Sequence, residues 1–114
     1  VSMQTARAPV MERQAPPEEN LPEMPQLDDQ TEFSGRLLQQ VREARGLDLA
    51  EIADRTKITM TYLHAIEEED FVKTPAPVYL RGFIKTVARE LKLDPDQVAG
   101  TYMDNYKKVT SEDK

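Results

Sequence analysis

One stretch near the middle of the chain constrains the fold most, because its apolar residues repeat at helical spacing on both sides of a tight turn. They stand at positions i, i+3 and i+4 before the turn and at i and i+3 after it: Leu49, Ile52, Ala53, then Leu63 and Ile66. Apolar residues at this spacing place one side of each helix against a shared core. The stretch therefore predicts two short helices that pack together across the turn.

Residues suited to begin or end helices divide the rest of the chain. Asp48 and Glu51 form the D-x-x-E pattern of a capping box, and Gly46 stands where a left-handed residue ends the preceding helix. The other residues suited to begin a helix are Ser34, Thr59 and Asp94. We predict helices over residues 34–45, 49–55, 60–69, 77–92 and 95–107, and no segment is typical of a strand. The fold class is therefore all-α, a five-helix bundle whose second and third helices form a helix-turn-helix unit.

The ends of the chain differ in composition from this helical middle. Residues 1–32 hold most of the eight prolines, many Glu and Gln, and few large apolar residues, which is typical of a disordered linker. The alternative for this segment is a docking peptide around residues 21–27. We predict a disordered, proline-rich acidic linker over 1–32, a helix-turn-helix domain over 33–108 and a flexible tail over 109–114.

Charge and cysteine content exclude several classes of function. The 114-residue chain carries a net charge of −6, but residues 34–109 hold equal numbers of basic and acidic residues, so the acidic excess lies at the ends. Such a domain lacks the clustered Lys and Arg that give affinity for a nucleic-acid backbone. Without cysteine the chain forms neither disulfides nor thiolate metal sites. No apolar run is long enough to cross a bilayer, so we expect no membrane contact within this fragment.

No arrangement of residues points to catalysis. The sequence offers no candidate residues for a nucleophile with its base, for a glycine-rich phosphate loop or for a metal cluster. His64 is the only histidine, whereas a metal site in a protein needs several ligands. We therefore predict a protein that is not an enzyme and binds no metal or cofactor.

Residues 33–106 resemble the helix-turn-helix module at the cytoplasmic end of RodZ-type bacterial proteins. The segments that carry the resemblance are F-S-G-R-L-L-Q-Q-V-R-E-A-R-G-L at 33–47, L-A-E-I-A-D-R-T-K-I at 49–58, Y-L-H-A-I-E at 62–67, P-A-P-V-Y-L-R-G-F-I-K at 75–85 and A-R-E-L-K-L-D-P-D at 88–96. The resemblance implies a five-helix fold related to the DNA-binding domains of lambda-type phage repressors. It also implies an adaptor that binds the actin-like protein MreB through aromatic residues of the fourth helix. The matching positions here are Tyr79 and Phe83, and the place of a third aromatic residue in the family is taken by Val87.

The residues of the predicted fourth helix leave two interpretations of these aromatic rings open. A stripe at i, i+4, i+7 and i+11 is sufficient for the core: Leu80, Ile84, Val87 and Leu91. Tyr79 and Phe83 lie about 100° round the helix from this stripe, so they either complete the core or form a protein-binding surface flanked by Arg81 and Lys85. Gly82 costs about 1 kcal/mol relative to alanine inside a helix. We expect it to mark the close approach of a neighbouring helix such as the fifth, and the alternative is that the glycine is merely tolerated.

DNA binding through the third helix is the competing function. Its candidate residues are Arg36, Arg55, Lys57, Thr59, Met60, Thr61, Tyr62 and His64. No Arg or Gln stands at the start of the third helix, where a reading helix contacts bases. The acidic residues 67–70 are expected to be a solvated helix end that repels phosphates, although Glu67 alone could bond within the domain.

The sequence thus favours an interaction module of RodZ type that binds a protein partner, MreB-like by resemblance, over a DNA-binding regulator. Because the chain begins at Val1, we expect a fragment whose membrane anchor, if it has one, lies outside it. The expected location is cytoplasmic, which fits the cytoplasmic part of a membrane-anchored protein.

Overall fold

The computed structural model describes residues 21–112, and this part of the chain contains five α-helices and no strand. In chain order the helices are α1 Gly35–Ala44, α2 Leu49–Thr56, α3 Met60–Glu68, α4 Pro77–Glu90 and α5 Pro95–Glu112. The all-α fold with a helix-turn-helix unit in α2 and α3 is confirmed.

Local capping explains where the helices begin. Ser34 Oγ accepts from Leu37 N at 3.1 Å, and Asp48 and Glu51 exchange the two hydrogen bonds of a capping box. Asp94 Oδ1 accepts from Asp96 N at 3.0 Å at the start of α5. Gly46 takes a φ of 73° just after α1, the left-handed conformation that glycine adopts without steric cost.

The five helices enclose one apolar core. Its fully buried side chains come from every helix: Leu38 and Val41, Ile52, Leu63 and Ile66, Leu80, Ile84 and Leu91, Val98 and Tyr102. Helices α4 and α5 make the most extensive helix–helix contact, while α3 packs against both α1 and α2. The stripe predicted on α4 is therefore core, which leaves the rest of that helix free for other contacts.

Residues 21–32, which we call the strap, differ from the predicted linker. They form no regular helix or strand, but Leu27 packs against the core and the Leu21 side chain lies over Gly46. Gln97 Nε2 donates to the carbonyl oxygens of Asp28 and Thr31 at 2.9 and 3.0 Å. The expectation of a free, disordered segment is therefore wrong for 21–32. The same prediction for residues 1–20 lies outside the residues that the structure describes.

Helix α5 runs past the predicted end at residue 107. It continues to Glu112, so the expected flexible tail is helical over residues 109–112, and residues 113–114 lie outside the described part. Tyr106 packs edge-on against Phe71 at a centroid distance of 4.8 Å, and Thr110 Oγ1 donates back to the Tyr106 carbonyl at 2.8 Å. These contacts hold the last turns of α5, and no helix-breaking residue stands between 107 and 112.

Candidate functional site

The C-terminal end of α3 is fixed by an ion pair that is nearly shielded from solvent. Arg42 of α1 donates from Nε to Glu67 Oε2 at 2.6 Å and from Nη2 to Oε1 at 3.1 Å. Its Nη1 also donates to the Leu47 carbonyl at 2.9 Å. Burial acts to lower the pKa of Arg42, but the hydrogen bond and charge of Glu67, together with the charges of Glu43 and Asp48, leave that pKa raised. The guanidinium therefore stays charged and ties α1 and the following turn to α3.

Glu69 extends these polar contacts to the start of α1 and to α5. It ends α3 with a φ of 56°, and its carboxylate accepts from Gly35 N at 2.8 Å and from Asn105 Nδ2 at 3.1 Å. A carboxylate at the N-terminus of a helix is favoured by the unsatisfied N–H groups and by the helix dipole. We call this set the polar corner: Gly35, Arg42, Glu67, Glu69, Tyr102 and Asn105.

Tyr102 and Gly35 close the polar corner. Tyr102 is fully buried and its hydroxyl donates to the Ile66 carbonyl at 2.6 Å. Burial, followed by the nearby charge of Glu69, raises the pKa of Tyr102 well above its ordinary value. A Cβ at Gly35 would overlap the carbonyl oxygens of Ile66 and Glu67. The first turn of α1 can therefore approach the last turn of α3 only because residue 35 is glycine.

Two of the four acidic residues 67–70 are thus not part of the solvated helix end that the sequence indicated. Glu67 and Glu69 are engaged within the polar corner, and Asp70 lies 3.9 Å from Lys73 Nζ. Glu68 is the exposed member of the run. The expectation of solvation is wrong for Glu67 and Glu69, because their partners lie far away in sequence. The alternative that Glu67 bonds within the domain is confirmed.

The outward side of α4 carries apolar surface. Val78 is 74% exposed and Tyr79 is 64% exposed, so Tyr79 is not part of the core. Phe83 is half-buried, and its ring packs against Tyr62 of α3 at a centroid distance of 5.7 Å. The Tyr79 ring is therefore outside the core, and the Phe83 ring packs partly against it. Tyr79 faces solvent, and Phe83, one turn later in α4, contacts α3.

Basic side chains line the opposite edge of this surface. Arg81 and Arg89 are exposed, and Lys85 Nζ lies 3.4 Å from Asp96 Oδ1 at the start of α5. The one acidic residue of α4, Glu90, lies 3.4 Å from Arg55 of α2. We call the whole outward surface the α4 face: Val78, Tyr79, Arg81, Gly82, Phe83, Lys85 and Arg89.

Gly82 lies in the middle of the α4 face, where its carbonyl accepts from Thr86 Oγ1 of the same helix at 3.1 Å. A Cβ built at this position meets no other atom within 4 Å. The expectation that Gly82 marks the close approach of α5 is therefore wrong, because Gly82 lies on the side of α4 that faces away from its neighbours. Val78, Gly82 and Arg89 are the residues of this surface that the sequence reasoning did not place there. The signal was available, since all three fall opposite the core stripe at 100° per residue.

The residues of the DNA-binding alternative lie on the helix-turn-helix unit, except for Arg36, which lies in α1. The exposed members of this set are Arg36, Arg55, Lys57, Thr59, Met60, Thr61 and His64. Thr59 Oγ1 caps α3 by accepting from Tyr62 N at 3.4 Å. Tyr62 itself is half-buried against Phe83, so the two candidate surfaces meet at this aromatic pair. No Arg or Gln is placed at the exposed start of α3.

No helix within residues 21–112 combines the length and the apolar character that a membrane span requires.

Comparison with known proteins relates the chain to one family and to a curated relative. A family model described as a helix-turn-helix domain matches residues 37–98. The curated protein "Cytoskeleton protein RodZ" of Streptococcus pneumoniae (strain ATCC BAA-255 / R6) is 35% identical over 79 residues, which cover 69% of this chain. The match spans 28% of that relative's length. No solved structure matches.

Proposed function

Because the chain belongs to the helix-turn-helix domain family and carries a RodZ-like module, we propose that it is a non-enzymatic adaptor that binds an actin-like cytoskeletal protein of the MreB type through the α4 face. The matched relative is described as a cytoskeleton protein, and that description supports a cytoskeletal partner. The proposed location is the cytoplasm, where such a filament protein is found.

The exposure of Val78 and Tyr79 is the observation that carries the proposal. Two large apolar side chains, 74% and 64% exposed, stand one after the other in a helix whose opposite side forms the core. Tyrosine and arginine are enriched among the residues that contribute most to protein–protein affinity. Here Tyr79 and Arg81 lie in the same turn of α4. The half-buried Phe83 packs on Tyr62 and so fixes one edge of the surface to α3.

Binding of the purified chain to purified MreB tests the proposal, and Tyr79→Ala is its sharpest variant. We expect the wild type to bind and Tyr79→Ala to bind at least about 30-fold more weakly, as for a residue that contributes about 2 kcal/mol. The helical circular dichroism signal and the Tm should not change, because Tyr79 contributes little to the core. Val109 is an exposed apolar residue of α5. The variant Val109→Ala is therefore the matched control and should bind normally. Equal binding of Tyr79→Ala and wild type would contradict the proposed site.

Phe83→Ala gives a second, less selective result. Because Phe83 packs on Tyr62, we expect this variant to lose affinity and also to lose about 1 kcal/mol of stability. The comparison of the two variants separates direct contact by Tyr79 from support by Phe83.

DNA binding through α3 is the second candidate, and one observation favours it. Glu67, Glu69 and Asp70 are engaged by other side chains or backbone groups, which removes part of the repulsion that the sequence indicated. A mobility-shift measurement at low salt with mixed duplex DNA tests it. The alternative requires a salt-dependent shift that Lys57→Glu abolishes, whereas we expect no shift, because no Arg or Gln reaches base edges from the start of α3.

A further inference from the structure

Gly82 has no role that the fold explains. It lies in the interior of α4, its backbone is not in the left-handed region, and the space where a side chain would stand is open. Glycine is the least favourable residue inside a helix apart from proline, because it loses the most backbone freedom. Alanine would therefore fit at this position and would stabilise α4.

The surroundings of Gly82 are those of a binding surface. The exposed Val78 lies one turn before it, and Tyr79 and Phe83 form an apolar edge on the side of α3. Arg81 and Lys85 form a basic edge on the side of α5, where Lys85 pairs with Asp96. Gly82 is thus the floor of a shallow strip between an aromatic edge and a basic edge.

We infer that Gly82 is the point at which a segment of the protein partner crosses α4 at backbone distance, an inference that rests on the proposed function. Small residues let two backbones approach closely, and a side chain at residue 82 would hold the crossing segment away. The aromatic edge contacts an apolar part of that segment, and Arg81 contacts an acidic part.

The charge distribution supports an acidic partner segment. The chain as a whole carries a net charge of −6, but the exposed residues of the α4 face include no carboxylate. The acidic residue of α4 is Glu90, which lies against Arg55. Within residues 21–112, no ion pair within 4 Å involves Arg81 or Arg89. A basic surface favours an acidic partner and speeds association with it.

A size series at residue 82 tests the inference with purified MreB as the probe. Gly82→Ala should raise the Tm of the free chain by about 4 °C, because helix propensity improves and nothing is displaced. The same substitution should weaken binding about tenfold, and Gly82→Leu should weaken it about 100-fold, because each larger side chain pushes the crossing segment further out. Arg81→Glu should weaken binding about tenfold, and more at low salt than at high salt.

Gly100 of α5 supplies the matched control, because it is also a helical glycine, and a Cβ at its position would have no atom within 4 Å. Gly100→Ala should raise the Tm in the same way and leave the dissociation constant within about twofold of wild type.

The outcomes separate the inference from the proposed function. If the wild type does not bind MreB, the proposed function fails and this inference fails with it. If the wild type binds and Gly82→Leu binds equally well, the close approach at Gly82 is wrong while the function stands. A lower Tm for Gly82→Ala would also overturn the inference, because the fold itself would then require the glycine. An Arg81→Glu variant with unchanged affinity would overturn the acidic character of the segment.

Discussion

Gly35 and Gly82 are both helical glycines, yet the protein around them differs completely. At Gly35 the backbone of α3 fills the space that a side chain would need, and the Gly35 N–H donates to Glu69. At Gly82 that space is open, and the neighbours are exposed apolar and basic side chains. The first glycine is explained by the fold of this chain. The second is explained by contact with another molecule or not at all.

The same contrast extends to the surfaces around the two glycines. The polar corner consists of buried and half-buried groups that are hydrogen-bonded to one another or to nearby backbone carbonyls, which fixes α3 against α1 and α5. The α4 face consists of apolar and basic groups that the domain leaves unused. A rigid scaffold that presents an unused surface is the arrangement expected of a binding module.

The largest effect is expected where the polar corner loses a charge. Arg42→Met leaves Glu67 buried beside an apolar side chain, and we expect a loss of about 3 kcal/mol in the free energy of unfolding. Urea denaturation of the chain measures it. The double variant Arg42→Met with Glu67→Leu should recover most of the loss, because no unpaired charge remains.

The exposed pair Lys73–Asp70, 3.9 Å apart, is the control for this prediction. Lys73→Ala should change the free energy of unfolding by less than about 0.5 kcal/mol. If Arg42→Met were equally mild, the polar corner would not hold the fold more tightly than the surface does, and the contrast with the α4 face would be lost.

The two glycines should respond to alanine with opposite signs. Gly35→Ala forces α1 away from the carbonyl oxygens of α3, and we expect a loss of about 2 kcal/mol in unfolding free energy. Gly82→Ala should instead gain about 1 kcal/mol. Thermal denaturation of both variants beside wild type gives the signs directly. A stabilising Gly35→Ala would show that the two helices are not in the close contact described.

These variants bear on how much of the structure the sequence predicts. The caps at Ser34, Asp48, Thr59 and Asp94 act within a few residues, so the sequence predicts the starts of four helices correctly. The core stripe of α4 is predictable for the same reason, since its period lies within one segment. The identity of the fold therefore follows from local patterns together with the family resemblance.

The polar corner does not follow from local patterns. Glu69 meets residues that lie 34 and 36 positions away, and nothing in the acidic run 67–70 distinguishes its engaged members from Glu68. The strap shows the same limit, because its prolines predict the absence of a helix but not the contacts of Leu27 and Gln97. Only part of the candidate site is predictable. Tyr79 and Phe83 follow from the resemblance, while the open space at Gly82 depends on how the helices pack around α4.

A smaller effect is expected at Tyr102, where it depends on pH. Tyr102→Phe removes the hydrogen bond to the Ile66 carbonyl and should cost about 1 kcal/mol at pH 7. In the wild type the folded state holds the pKa of Tyr102 above the ordinary value of 10.0. Its unfolded chain therefore releases the tyrosine proton first, so stability is retained below about pH 10 and falls above it, by up to about 1.4 kcal/mol per pH unit.

Chemical denaturation of wild type and Tyr102→Phe between about pH 8 and 11.5 checks this dependence, because that range brackets the ordinary tyrosine pKa. The difference between the two proteins should shrink above about pH 10, because the variant lacks the titrating group. A constant difference would mean that Tyr102 ionises in the folded state as easily as in the unfolded chain, and the α5 side of the polar corner would be less closed than its geometry indicates.

The smallest effects on stability are expected on the α4 face, and they decide the comparison. Val78→Ser and Tyr79→Ala replace side chains that are 74% and 64% exposed, so each should change the free energy of unfolding by less than about 0.5 kcal/mol. Leu80→Ala, in the same turn but fully buried, should cost at least about 2 kcal/mol. The three adjacent residues thus separate surface from core within one turn of helix.

If Tyr79→Ala instead cost more than about 1 kcal/mol, the ring would already have a partner inside the domain. The α4 face would then be part of the fold, and the difference between Gly35 and Gly82 would no longer distinguish a folding constraint from a binding one.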